Sequence, residues 1–77
     1  RRPYTKEISR GISLLEEILE EDPERSRECY YYMGAAFLKI KDYVKADQVV
    51  SKLLDQEPNN SQALALKKCI KDSIGRG

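Results

Sequence analysis

The residues that could do chemistry in this chain are few, and their spacing organises none of them into a reactive site. Two cysteines, Cys29 and Cys69, are the only thiols, and histidine is absent. Forty residues apart, the thiols have no metal-ligand spacing and no partner base. They read as reduced, core or half-buried side chains. The densest carboxylate run is Glu16, Glu17, Glu20, Glu21 and Asp22. It suits a basic partner surface or, more simply, a solvated helix face. Acid–base hydrolysis would need a cleft and tuned pKa values in addition. Tyr30, Tyr31 and Tyr32 invite a base-stacking reading. Consecutive helical residues point about 100° apart, so three in a row form no single platform. No phosphate-binding loop is present either. An enzyme, a metal protein and a cofactor carrier all lack their residues, so none of these and no cofactor is expected.

The bulk numbers agree. Seventy-seven residues make one small domain, with 14 basic and 13 acidic side chains and a net charge of +1. A nucleic-acid surface would need a basic surplus on one face. No apolar run reaches the roughly 18 to 20 residues that span a bilayer.

The elements that must position any site are helices. Apolar residues recur at helical spacing nearly throughout, and no hairpin dipeptide separates alternating runs. The spacing predicts helices over about 5–21, 25–40, 42–55 and 61–74. Thr5 is the expected first cap, Pro23 and Pro58 the stops, and Gly75-Arg76-Gly77 the final helix end. Inward stripes are Ile8, Ile12, Leu15, Ile18 and Leu19, then Tyr30, Met33, Gly34 and Phe37. Val49, Val50, Leu53 and Leu54 follow, and finally Ala63, Leu66, Cys69 or Ile70, and Ile74. Short connections make consecutive helices antiparallel neighbours.

A repeat underlies the pattern. Ile8 to Glu24 aligns with Tyr43 to Asn59 at an offset of 35 residues. Gly11 then falls on Ala46, Leu15 on Val50, Ile18 on Leu53, Leu19 on Leu54 and Pro23 on Pro58. That period is the tetratricopeptide length of about 34 residues. Numbered from Arg27, the repeat's aromatic at position four is Tyr30, and positions seven and eight are Met33 and Gly34. Phe37, Ala46 and Pro58 fill eleven, twenty and thirty-two; Val50 and Leu53 stand where an aromatic and an alanine are usual. Small residues at eight and twenty let two helices cross closely while bulky ones fill the space around them. The fold class is therefore all-α, an antiparallel array of about four helices. It holds one full repeat, a preceding half-repeat and a capping helix. A half-repeat leaves apolar surface uncovered. The chain thus reads as an N-terminally truncated domain, capable of self-association through that face.

The residues also resemble one family, the mitochondrial fission 1 proteins. Three stretches carry the resemblance: Glu7 to Leu19, with Arg10-Gly11-Ile12 and Leu14-Leu15-Glu16; Arg27 to Ala46, with Tyr31-Tyr32 and Lys41-Asp42-Tyr43; and Glu57 to Asp72, with Pro58-Asn59-Asn60. The resemblance implies a tail-anchored adaptor, of which this chain is similar to the last four cytosolic helices. It implies residence on the cytosolic face of mitochondrial and peroxisomal outer membranes, through an anchor absent here. It also implies recruitment of dynamin-related GTPases or their adaptors, with no nucleic acid involved. In such repeats the outward positions of the first helix line a groove; here they are Glu28, Tyr31, Ala35, Leu38 and Lys39. Tyr31 and Leu38 form a shallow apolar strip suited to a partner helix or peptide. Packing by a missing helix or a neighbouring molecule would use the same strip. The other reading is a generic scaffold or co-chaperone module; Lys39 alone supplies too little positive charge to clamp a peptide carboxylate.

Overall fold

The computed structural model describes the backbone of residues 3–76 and the side chains of residues 6–75. Four helices follow one another: α1 (Pro3–Glu21), α2 (Ser26–Lys39), α3 (Tyr43–Gln56) and α4 (Ser61–Arg76), with a 3-10 turn at Pro23–Arg25 between the first two. α1 already begins at Pro3, so Thr5 lies inside the first turn and does not cap it. Proline is tolerated there because a first-turn N–H has no helical partner to lose. At the other end α4 runs through Gly75 to Arg76, so Gly75 does not stop the helix; Gly77 lies outside the described residues.

Each junction has its own chemistry. α2 closes with Lys41 at φ 64°. Lys41 N–H donates to the Leu38 carbonyl at 3.0 Å and Asp42 N–H to the Phe37 carbonyl at 2.9 Å. This is the paired bonding of a Schellman turn, with lysine where glycine is usual. Asp42 then caps α3, its carboxylate accepting from Lys45 N–H at 3.3 Å. Asn60 caps α4 more tightly, accepting from Ala63 N–H at 3.0 Å while its amide donates to Glu57 at 2.8 Å.

The core lies where α2, α3 and α4 meet. Ala46, Val50, Leu53, Ala63 and Ile70 are fully buried, and Met33 and Phe37 nearly so. Gly34 marks the crossing of α2 with α3: a Cβ built there would sit 2.5 Å from Val50 Cγ2 and 3.2 Å from Leu66 Cδ2. The small residue expected at this point is thus required by contact, and its helix-propensity cost of about 1 kcal/mol is offset by packing. α1 contributes Ile12 to the same cluster, with Ile8 and Leu15 packed at its edge. Three sequence expectations differ from what forms. Gly11, aligned with buried Ala46, meets nothing within 4 Å at its Cβ position, because no helix crosses α1 there among the described residues. Ile74, expected on the inner face of α4, is 51% exposed. Cys69 is exposed, since Ile70 takes the inward position.

α3 and α4 are joined by Lys67, whose ammonium meets Asp47 Oδ1 and Ser51 Oγ, each at 2.8 Å. α2 is tied to the α3–α4 turn by Arg27, which donates to Glu57 Oε2 at 2.7 Å. That hydrogen bond, helped by the one from Asn60, holds the Glu57 carboxyl below its ordinary value of 4.5. A carboxylate depressed in the folded state adds stability above its unfolded pKa, and the contribution disappears as pH falls through the folded value. Side-chain exposures of 61% for Arg27 and 33% for Glu57 keep the effect small. Acidification from neutral pH to below about 4 should therefore lower the urea midpoint more in the parent chain than in Glu57→Gln. Equal losses in both would show that the pair contributes nothing.

Candidate protein-binding groove

The proposed groove residues lie one after another along α2. Glu28 and Lys39 are exposed at its two ends, and Tyr31, Ala35 and Leu38 are half-buried between them. Leu38 leans inward and packs partly against the core cluster. The strip lies between two depressions. Glu28 and Tyr31 line one of about 360 Å³, with Arg27, Glu57, Asn60 and Gln62 around them. Ala35 and Lys39 line another of about 280 Å³, whose far wall is Ile8, Gly11 and Leu15 of α1. The first is polar and centred on the Arg27–Glu57 ion pair; the second is almost wholly apolar. A peptide along α2 would meet a charged end and a greasy end.

Tyr32 joins the two depressions, lining both. It is 58% exposed, and its ring meets that of Tyr31 edge-on, with centroids 5.6 Å apart and planes at 69°. Sequence reasoning gave it no role, although its place beside Tyr31 on an exposed helix face was a usable signal: large aromatics open to solvent concentrate at interfaces. Neighbouring tyrosines here face one another in a T-shape and offer no parallel stacking platform. Tyr30 points the other way and packs on the core.

Cys29 is 2% exposed, and burial pushes its thiol pKa up, away from the nucleophilic thiolate. Among the described residues, no group of His, Cys, Asp and Glu could hold a metal ion. What α2 displays is shape, apolar area and a graded charge.

Four antiparallel helices with a small-residue crossing at Gly34 and Ala46 define a tetratricopeptide-repeat fold. A family model described as the Fis1 C-terminal tetratricopeptide repeat matches residues 27–77. The chain is 41% identical over 64 residues to the mitochondrial fission 1 protein of Candida glabrata, covering 83% of this chain and 42% of that one. To the mitochondrial fission 1 protein of Mycosarcoma maydis it is 40% identical over 70 residues, covering 91% and 46%. A crystal structure of yeast Fis1, in complex with an Mdv1 fragment containing N-terminal extension and coiled coil domains, superimposes with a TM-score of 0.88. There the identity is 33%, over 94% of this chain and 57% of the yeast one. The chain belongs to the mitochondrial fission 1 protein family and spans less than half the length of the curated relatives named here.

Proposed function

We propose that this chain is the partner-binding part of a non-enzymatic mitochondrial fission adaptor. In this reading the α2 strip, Glu28, Tyr31, Ala35, Leu38 and Lys39, receives a helical segment of an adaptor protein that brings a dynamin-related GTPase to the organelle. The single observation that carries it is the likeness to yeast Fis1, a protein solved with an Mdv1 fragment bound. The exposed tyrosine edge and the apolar depression at Ala35 support it, since aromatic anchors and small pockets concentrate binding energy. GTP hydrolysis belongs to the recruited partner. The outer membranes of mitochondria and peroxisomes are the proposed location, reached through an anchor outside this chain.

The test is capture of a purified dynamin-related GTPase, and of a purified coiled-coil fission adaptor, by this chain and by a version extended upstream. Leu38→Glu and Lys39→Glu are compared with the parent. Because Leu38 also packs on the core, helicity by circular dichroism must accompany its result; exposed Lys39 separates binding from folding. Binding should fall at least about tenfold in each folded variant. If neither parent form captures either protein, the adaptor reading fails and a generic repeat scaffold replaces it.

A further inference from the structure

Three hydrogen bonds run end to end from the polar end of the α2 strip to the start of α4. Arg27 Nη1 donates to Glu57 Oε2 at 2.7 Å. The other oxygen of that carboxylate, Oε1, accepts from Asn60 Nδ2 at 2.8 Å. Asn60 Oδ1 in turn accepts from Ala63 N–H at 3.0 Å and so caps α4. Each link uses a different atom of the residue it shares with the next, so the links act in series and do not compete. A carboxamide caps a helix only when its oxygen, not its nitrogen, faces the free N–H groups. Glu57 sets that choice here, because an ionised carboxylate only accepts and holds the amide nitrogen toward itself. Arg27 in turn holds the carboxylate in the orientation that leaves Oε1 for Asn60.

The outer member of the series is the one a partner meets. The Arg27 side chain is 61% exposed against 33% for Glu57, and it lines the polar depression beside Glu28 and Tyr31. The inner member is the one that responds. First-turn N–H groups have no acceptor within their own helix, and no acidic residue lies in the first turn of α4 to replace Asn60. We propose that these bonds couple the strip to α4: an acidic side chain of a bound partner draws Arg27 away from Glu57 and thereby loosens the cap of α4. The coupling rests on the reading of α2 as the partner-binding strip, and it adds the partner's chemistry, a carboxylate at the end that carries Arg27. Charge-assisted bonds suit the first link, because one carboxylate replaces another there at little net cost. The link is reciprocal: a change that tightens the cap of α4 weakens the hold of an acidic partner on Arg27.

Amide hydrogen exchange, followed by NMR on the isotope-labelled full chain, reads the cap directly at Ala63. Exchange there should quicken about three- to tenfold in Arg27→Ala, the effect of a weakened cap. Arg27→Lys should stay near the parent rate, since an ammonium fills the single contact to Glu57. Tyr31→Glu sets a carboxylate one turn from Arg27 on the same helix, in place of a partner's. It should quicken Ala63 exchange relative to Tyr31→Gln by a similar factor. Lys45 N–H, capped by Asp42 and outside the series, is the internal control and should keep its rate in every variant. Equal Ala63 rates in the parent and Arg27→Ala, or in the two Tyr31 variants, would overturn the proposal. So would equal quickening at Lys45, the mark of general destabilisation. These measurements need no partner, so a failed coupling leaves the strip reading standing, and a failed capture of fission proteins leaves the coupling standing.

Discussion

Leu53→Ala should lower the folding stability of this chain by about 3 kcal/mol. Leu53 is fully buried and is one of the three largest side chains in that state. Truncation removes its transfer free energy and leaves a cavity behind, since a packed interior relaxes only partially. A domain of this length has roughly 4 to 12 kcal/mol in total, so the loss is a large share. Thermal unfolding followed at 222 nm should shift down by roughly 10 to 25 °C. Leu14→Ala is the control: Leu14 is 59% exposed, and its loss should stay within about 0.5 kcal/mol. Similar shifts for the two would mean that the buried centre described here is misplaced.

Gly34→Ala should also destabilise, although alanine is the better helix former by about 1 kcal/mol. The added methyl would lie 2.5 Å from Val50 Cγ2, against a side chain that is itself fully buried and β-branched. Val50 has one strongly preferred rotamer in a helix, and its side chain is fully buried. Overpacking of this kind costs about 1 to 3 kcal/mol, so the net loss after the propensity gain is up to about 2 kcal/mol. The decisive measurement is the double-mutant cycle with Val50→Ala. If the clash is the cause, the pair should be less destabilised than the sum of the single changes by at least about 1 kcal/mol. Additivity, or a stabilised Gly34→Ala, would show that the helices have slack at the crossing.

These two sites were readable before any coordinates because both follow from periodicity. Gly34 interrupts an apolar stripe where a repeat needs close approach, and Leu53 lies on the stripe of α3. The failures share a different origin. Cys69 and Ile70 are adjacent on one helix, so the pattern left both open as the inward residue, and the fold buries Ile70 while Cys69, expected core or half-buried, is exposed. Gly11 repeats the sequence signal of Ala46, yet among the described residues nothing approaches its Cβ position within 4 Å. The Arg27–Glu57 pair links positions 30 residues apart through the geometry of a turn, and no local spacing announces it. Of the groove, the order of residues along α2 was legible. The division into a polar and an apolar depression was not, because it depends on which of α1 and the α3–α4 turn stands opposite each residue. Likewise the charges of Glu16 and Lys45 read as solvated faces until the separation of α1 from α3 placed them on opposite sides of one depression.

That separation has a dynamic meaning. Drawn as a network, the fold gives α2 contacts with each of the other helices, while α1 reaches the rest only through α2 and the turn that leads into it. α1 is a leaf on a graph whose remaining members close into a triangle. Tilting α1 against α3 breaks no Cα-level contact between those two helices, because they make none. Any contact that bridged α1 and α3 would turn the leaf into part of a loop and remove conformational entropy from α1.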